Sequence, residues 1–417
     1  MTFAARFRMN PWPVARAGLL RHRGSYAVFC LLIALATAIG VAVSSQEAAL
    51  RRGSARAADK FDLVVAAPGS QTDAVLAAIY LRPGTIPLMA PADAERALAE
   101  PRAKFAAPLG FGDRHEGSPI IGSIAAFVDY LSGGLAEGRM FAQETEAVAG
   151  AAVAARLGAS FHPAHGAADA DDDDDREAGH DAHQHGVTLT LVGRMKPTGT
   201  PWDNAIIIPI ESVWRTHQLP VGHADGETQI GPPFTAGKVP GLPAIVMAPR
   251  SISDAYGLRG LWRTPSTMAF FPAEALTPLY AVMGDVRDLM SWFALAAQGL
   301  VVVAILAGVV AIVGLHRRRF AVLRALGAPG AYVFACVFLQ IAIIIISGAL
   351  AGLALGAGAA HLVSRAFSAR TGIALPVQIG ADELWLVAAL VAFGLLAAIA
   401  PAFMAWRRPP IDALAGQ

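Results

Sequence analysis

One stretch of the chain, residues 162–186, concentrates side chains that can bind a metal ion. It reads HPAHGAADADDDDDREAGHDAHQHG and contains five histidines and eight carboxylates. Its histidines are His162, His165, His180, His183 and His185. Imidazoles at such short spacings can converge on zinc, copper or nickel. The stretch is therefore a candidate site for weak, exchangeable binding of a divalent ion such as zinc.

The same stretch is also typical of a solvated insertion. Asp171–Asp175 is a run of like charges, which favours an extended chain, and small residues without apolar periodicity surround it. A structural or catalytic zinc site needs fixed ligands and a supporting second shell of hydrogen bonds. A catalytic metal is therefore not expected, and both other interpretations stay open. Three histidines outside the stretch could add ligands, but we predict that they are ordinary surface residues: His115, His217 and His223.

Motifs of other chemistries are missing from the sequence. GPPFTAGK (231–238) differs from a phosphate-binding loop, because five residues separate its glycines and no Ser or Thr follows the lysine. HEGSP (115–119) is not a zinc-protease motif, and no G-x-S-x-G nucleophile elbow occurs. We therefore predict that the chain is not an enzyme, has no ATPase activity of its own and binds no cofactor except weak zinc at the His-rich stretch.

Hydrophobic segments of the sequence predict how the chain is arranged relative to a membrane. The chain is 55% hydrophobic and only 16% charged, and four runs contain no charged residue or histidine: 25–44, 291–315, 329–357 and 384–405. A bilayer core of about 30 Å requires roughly 20 apolar residues in a helix. The sequence therefore predicts a membrane protein with four transmembrane α-helices. The two cysteines, Cys30 and Cys336, both fall within these runs.

Basic clusters orient the predicted helices. The arginines beside the runs are Arg6, Arg8, Arg16, Arg21 and Arg23 before the first, Arg317, Arg318, Arg319 and Arg324 after the second, and Arg407 and Arg408 after the fourth. By the positive-inside rule these segments are cytoplasmic. We therefore predict a multi-pass protein of the cell inner (plasma) membrane with both termini in the cytoplasm.

The predicted segments follow from this topology. They are a cytoplasmic N-terminus (1–24), a first span (25–45), an extracytoplasmic α+β domain (46–288), a second span (289–315), a cytoplasmic helix (316–328), a third span (329–357), a short external loop (358–383), a fourth span (384–405) and a cytoplasmic C-terminus (406–417). In the external domain we predict strands at 61–67, 118–124, 187–192, 205–210, 244–247 and 267–271. Predicted helices cover 72–81, 144–157, 252–261 and 273–290, and one begins after residue 210. The helix at 273–290 continues into the second span, as a stalk would.

Three glycines in the third span recur at every fourth residue: Gly348, Gly352 and Gly356. Such a stripe allows two helices to approach closely. The sequence leaves open whether it packs within the subunit or forms the seam of a homodimer.

The layout of one anchor, a large external insertion and three further spans resembles that of MacB/FtsX-type ABC transporter permeases. RRRFAVLRALGAPGAYV (317–333) is similar to the cytoplasmic connector of that family, and PAFMAWRRPPIDALAGQ (401–417) is similar to its closing signature. Blocks at 61–70, 108–123 and 196–217 resemble a narrower branch with a His-rich external loop.

The resemblance implies how the chain works. In that family the connector presses on a separate ATPase, which assigns coupling roles to Arg317, Arg318, Arg319, Phe320, Leu323, Arg324, Leu326 and Gly327. Phe320, Leu323 and Leu326 recur at helical spacing, so they can fill a groove on a partner. The implied assembly contains two copies of this chain and two of the ATPase, which binds ATP and magnesium, within membrane lipid. A periplasmic protein or lipoprotein is a further candidate partner, and nucleic acid is not expected.

The expected function is coupling of ATP hydrolysis to movement of the external domain, for transport or extraction of an envelope substrate that the sequence does not identify. Two alternatives stay open. One is a regulatory or receptor subunit that controls an envelope enzyme. The other is a component of divalent-metal (zinc) handling.

Overall fold

The structure of the protein is a computed structural model, which describes residues 10–82, 84, 86–165, 187–277, 327–371 and 374–407, with isolated positions 289, 292, 296, 299, 303 and 322. The chain divides into two compact units. The first, here called the helical unit, comprises residues 1–50, 283–365 and 376–417. The second, here called the sheet domain, comprises residues 51–282 and 366–375.

Long apolar helices dominate the helical unit. The described helices are α1 (Trp12–Arg21), α2 (Arg23–Ala58) and two that we number α8 (Gly330–Thr371) and α9 (Ala381–Arg407). By length and composition, three of the described helices can cross a membrane, over Arg23–Ala58, Gly330–Ser368 and Ala381–Ala400. They correspond to the first, third and fourth predicted spans. The second predicted span lies outside the described residues apart from isolated helical positions, so the count of four stays a prediction.

Two of these helices are longer than the apolar runs that predicted them. α2 continues beyond residue 45 to Ala58, and α8 continues beyond residue 357 to Thr371, into the segment predicted as an external loop. The expectation of a loop from residue 358 onward is therefore wrong. The added turns are rich in Ala, Leu, Arg and Ser, and helix formation depends on such propensities rather than on hydrophobicity. The thickness of the bilayer therefore sets the length of the apolar run but does not limit the length of the helix.

The sheet domain alternates short helices with strands. Its helices are α3 (Gln71–Ala78), α4 (Pro91–Leu98), α5 (Ala125–Ser132), α6 (Ile210–Thr216) and α7 (Ile252–Leu261), with a 3₁₀ turn at Pro201–Asn204. Its strands are β1 (Leu63–Ala66), β2 (Ala103–His115), β3 (Ser118–Ser123), β4 (Leu135–Gly138), β5 (Glu146–Ala149), β6 (Ser160–Phe161), β7 (Ala164–His165), β8 (Leu189–Met195), β9 (Ile206–Pro209), β10 (Ala244–Pro249) and β11 (Met268–Phe270).

The described strands form one mixed sheet. Its order is β11-β1-β10-β2-β3-β9-β5-β8-β4, with β6 added to β8 and β7 added to β2. Pairing is antiparallel except between β3 and β9 and between β5 and β8. Strands β5, β9 and β10 are buried along nearly their whole length, because helices and loops cover both faces of the sheet there. One face carries an aromatic cluster of Phe61, Phe127 and Trp202, all nearly inaccessible to solvent.

Most predicted elements of this domain are confirmed within a few residues. The run at 205–210 forms β9 and leads directly into α6, and the helix predicted at 252–261 is α7. The helix predicted at 144–157 is wrong: residues Glu146–Ala149 form β5 between β9 and β8, and residues 153–156 adopt no regular structure. The Arg194 guanidinium donates hydrogen bonds to the carbonyls of Gly150, Val153 and Ala155, so tertiary contacts replace the bonds of a helix.

Candidate coupling site

The glycine stripe of α8 lies against α2 of the same chain. A Cβ atom on Gly348 would come within 2.8 Å of Ile33 Cβ and 3.0 Å of the Cys30 carbonyl oxygen. On Gly352 it would lie 2.5 Å from Thr37 Cβ, and on Gly356 2.7 Å from the Ala38 carbonyl oxygen. Only hydrogen fits at these three positions. The stripe therefore packs against α2 within the subunit, and a role in a homodimer stays a prediction.

A buried carboxylate joins α9 to α2 at one end of this packing. Glu383, 2% exposed, lies in the first turn of α9 and accepts a hydrogen bond of 2.8 Å from the Gly380 amide. It also accepts bonds of 3.0 Å from the Ser44 hydroxyl and 3.4 Å from the Ser45 hydroxyl. The negative charge suits a helix N-terminus, where amide dipoles point outward. Sequence reasoning missed this residue because the charge-free run begins one position later.

The start of α8 contacts the N-terminal helix α1. The Gln340 amide donates to the Ala15 carbonyl at 3.3 Å, and the Tyr332 hydroxyl donates to the Asn10 carbonyl at 3.4 Å. The Tyr26 hydroxyl, at the start of α2, donates to the Gln340 side-chain oxygen at 3.3 Å. Gln340 thus joins three helices through its two amide atoms. These bonds connect α8 to both α1 and α2.

Positive charge surrounds this end of the helices. Arg16, Arg21 and Arg23 are exposed on or directly after α1, and Trp12 is 49% and Leu20 63% exposed on the same helix. Arginine with exposed Trp and Leu is typical of a helix at a membrane surface or against an acidic partner. The surface therefore has the chemistry to contact both lipid head groups and a protein.

The predicted coupling residues lie almost entirely outside the described residues. These are Arg317, Arg318, Arg319, Phe320, Leu323, Arg324 and Leu326. Gly327 is described and has a φ of +95°, a left-handed conformation that glycine adopts without strain. It precedes the start of α8 at Gly330, so the chain turns directly before the helix whose first residues contact α1.

The predicted metal ligands are described only in part. The His162 Nε2 atom lies 3.1 Å from the Thr188 hydroxyl, and His165 belongs to β7, which pairs with β2 at Asp113. His180, His183 and His185 lie outside the described residues. Within the part of the chain that the structure describes, no group of three or more His, Cys, Asp or Glu residues can hold a metal ion. Weak zinc binding by the whole stretch therefore stays a prediction.

One histidine predicted at the surface is buried. His223 is 3% exposed, and its Nε2 atom lies 3.2 Å from the Oε1 atom of Glu211, which is 1% exposed. The Gly231 amide donates to the same carboxylate oxygen at 2.7 Å. Burial raises the pKa of Glu211 above its ordinary value, against the opposing effect of these hydrogen bonds. The pair holds the loop of residues 218–243 against α6, and sequence spacing gives no sign of it.

Comparison with known proteins finds one family model that matches part of the chain. Residues 292–410 match the family described as FtsX-like permease C-terminal. No curated protein matches the chain. Among solved structures, the chain is similar to the extracellular domain of the noncanonic ABC-type transporter YknZ from Gram-positive bacteria, with 9% identity and a TM-score of 0.27 over 50% of this chain and 98% of that one. The family match covers nearly all of the second predicted span, the connector, and the third and fourth predicted spans.

Proposed function

We propose, from the match of residues 292–410 to the FtsX-like permease family, that the protein is the membrane subunit of an ABC transporter and works with a separate ATPase. The family match is the observation that carries the proposal, and the apolar helices α2, α8 and α9 agree with it. The working assembly contains two copies of each subunit in the inner membrane. The sheet domain lies outside the cytoplasm.

In the proposed mechanism the ATPase pushes on the connector at residues 316–328. Leu323 and Leu326 enter a groove on the ATPase, and the arginines around them bind its acidic side chains or lipid head groups. Gly327 allows the chain to turn from the connector into α8. The bonds of Gln340 to α1 and α2 then make the helices move together rather than singly.

The far end of the same helices completes the coupling. The glycine stripe holds α8 against α2 along three turns, so a shift of one helix cannot be absorbed by sliding of a loose contact. The Glu383 hydrogen bonds tie α9 to α2. A two-state rearrangement that is biased by nucleotide at the connector and by substrate outside is sufficient for such coupling.

The test is removal of the apolar contact from the connector. Full-length protein carrying Leu323→Asp and Leu326→Asp is purified by affinity tag from membranes of its own host, and ATP hydrolysis in the eluate is measured by phosphate release. The wild type is expected to carry an ATPase with it. The double variant should lose at least nine-tenths of that activity, because each leucine is expected to be a hot spot of the interface with the ATPase. Leu219→Asp with Leu261→Asp is the matched control, since these side chains are 41% and 50% exposed in the sheet domain.

ATPase activity that co-purifies equally with both double variants would contradict the proposal. Labelling of the Phe320→Cys variant above the wild-type level by a membrane-impermeant reagent added outside intact cells would also contradict it. That result would put the connector on the opposite side of the membrane from the ATPase.

A second candidate function, zinc handling, is favoured by the composition of residues 162–186. Deletion of residues 167–185 removes the acidic run and three of the five histidines but keeps β7, which is part of the sheet. Zinc handling predicts slower growth of the deletion strain in zinc-depleted medium, with recovery on added zinc. Normal growth would reduce this stretch to a solvated insertion.

A further inference from the structure

The sheet domain contains a cavity of about 400 Å³. It lies between β2, β3 and the segment that follows α3, and its wall is mainly apolar. The apolar side chains that give the wall this character are Leu81, Ile86, Leu88, Phe111, Pro119 and Ile121. Small-molecule sites typically have volumes of about 300–1,000 Å³ and walls of this kind. The cavity therefore has the size and lining of a binding site for one small ligand.

A backbone irregularity forms one side of the cavity. Gly110 pairs with Gly122 and Asp113 with Ile120, so β2 carries one more residue than β3 between these pairs. Gly112, inside this bulge, has a φ of +141°, which a side chain would not tolerate. Bulges bend a strand and turn side chains toward sites beside the sheet. The backbone of β2 therefore shapes this side of the cavity, whatever rotamer a single side chain adopts.

The opposite side carries a strained residue. Leu81 has a φ of +53°, a left-handed conformation that a bulky side chain rarely adopts. The next amide, of Arg82, donates to the Leu76 carbonyl at 3.0 Å and fixes the end of α3. Such strain persists only where the surroundings hold it, and it is concentrated at ligand-binding segments.

Two guanidinium groups line the same cavity. Among the described residues the Arg82 side chain has no hydrogen-bonding or ion-pair partner, and Arg114 uses one nitrogen for a 3.2 Å bond to the Gly117 carbonyl. Asp113, also in the lining, is buried and already has an interaction of its own. Most of the donors of both arginines are thus available to an anion. Guanidinium groups bind carboxylate and phosphate oxygens in pairs of hydrogen bonds.

We propose that this cavity binds a single-chain amphiphile with an anionic head group. The chain packs on the apolar wall, and the carboxylate or phosphate binds Arg82 and Arg114. A peptide strand fits less well, because β2 is paired with β10, β3 and β7, and β3 with β2 and β9, so most of both strand edges is occupied. A sugar would leave the apolar wall uncovered. The site is distinct from the proposed coupling to an ATPase, and its test needs neither nucleotide nor partner.

The test uses the full-length protein in lipid nanodiscs and a photoactivatable lauric acid. After illumination, labelled peptides are quantified by mass spectrometry. We expect adducts in the peptides that contain residues 77–121, and about fivefold fewer of them when Arg82→Gln and Arg114→Gln are combined. Arg156→Gln is the matched control, because this arginine is exposed and outside the cavity.

A second pair of variants tests whether reduced labelling could result from loss of folding. Leu88 lines the cavity and is 62% exposed, so either charge is tolerated there. Leu88→Glu should repel the head group and lower the labelling, whereas Leu88→Lys should raise it. Competition with unlabelled laurate, lauryl phosphate and lauryl alcohol separates the head groups: the better of the two anions identifies the natural class, and the alcohol should compete weakly.

Three results would overturn the proposal. They are equal labelling in the double arginine variant, equal labelling in the two Leu88 variants, and competition by lauryl alcohol as strong as by the anions. Failure of this test would leave the ATPase test unaffected, since no step of it uses ATP.

Discussion

The two units of this chain achieve tight packing by opposite means. The sheet domain buries large rings: Trp202 lies 5.2 Å from Phe127 and 6.0 Å from Phe61, between ring centroids. The helical unit instead brings backbones together at Gly348, Gly352 and Gly356. In water, burial of apolar area drives folding, so large side chains contribute most. In lipid that drive is absent between helices, and close contact of small residues takes its place.

The two units also differ in how a buried carboxylate is satisfied. In the sheet domain, Glu146 forms a two-pronged ion pair with Arg139, whose side chain is 58% exposed to water. In the helical unit, Glu383 accepts hydrogen bonds from two serine hydroxyls and an amide, and no cation pairs with it among the residues that the structure describes. Where water is excluded, a carboxylate can be satisfied by neutral hydrogen-bond donors. Their burial costs less desolvation free energy than burial of a second charged group.

The largest expected effect concerns the aromatic cluster. Trp202→Ala should destabilise the sheet domain by about 3–5 kcal/mol, because it leaves a large cavity among rings that cannot collapse to fill it. Thermal unfolding followed by circular dichroism measures this change. Trp385→Ala, at a helix position that is 74% exposed, is the matched control and should change stability little. Equal losses at the two positions would show that the units do not differ in this way.

The glycine stripe should respond to added volume. Gly352→Leu places side-chain atoms where Thr37 Cβ is 2.5 Å and the Ala34 carbonyl oxygen 2.6 Å from the first carbon, so it should cost about 1–3 kcal/mol. Gly358→Leu meets nothing within 4 Å and should instead be neutral or stabilising, since leucine favours a helix more than glycine does. Size-exclusion chromatography after graded heating distinguishes them. Equal behaviour of the two variants would contradict the close α2–α8 contact.

The ion pair of the sheet domain should make its stability depend on pH. The hydrogen bond from Arg139 lowers the pKa of Glu146 from 4.5 to about 2, with help from the Ala142 and Gln143 amides. The folded state therefore favours the ionised carboxylate. Its stabilisation is complete above pH 4.5 and is lost as the pH falls toward 2.

Glu146→Gln should remove about 1–2 kcal/mol at neutral pH, a value reduced from the full shift because Arg139 is solvated. It should also flatten the decline in melting temperature between pH 5 and pH 3, while Glu137→Gln at an exposed position leaves that decline in place. An unchanged slope in the Glu146 variant would show that other carboxylates dominate acid unfolding.

The smallest effect is that of a helix cap. The Ser70 hydroxyl accepts a 3.2 Å bond from the Asp73 amide at the start of α3. Ser70→Ala should cost about 1 kcal/mol, and Ser70→Asp should restore it. Hydrogen exchange at the Asp73 amide reports the loss locally. Equal exchange in all three proteins would mean that packing alone holds this helix.

Local patterns were sufficient to predict several elements. The helix at 252–261 carries a serine cap before it, and the strand at 205–210 is a run of β-branched residues, so each has one strongly preferred structure. At 144–157 the alanine-rich composition favours a helix, but the sheet requires a strand between β9 and β8. Tertiary pairing outweighs a propensity of a few tenths of a kcal/mol per residue. The same holds for the bulge at 110–113, which exists only because β3 lies opposite.

The sequence by itself determined where apolar helices form and which segments are basic, because a helix closes its hydrogen bonds within four residues and lipid selects runs by composition alone. Only the tertiary structure decided which helix meets the glycine stripe, that His223 and Glu211 are buried together, and that Arg82 and Arg114 share one cavity. Each of these depends on contacts between residues that are distant in the chain or separated by a loop. The periodicity of the sequence does not predict such contacts, because they form only when the sheet and the helices have packed.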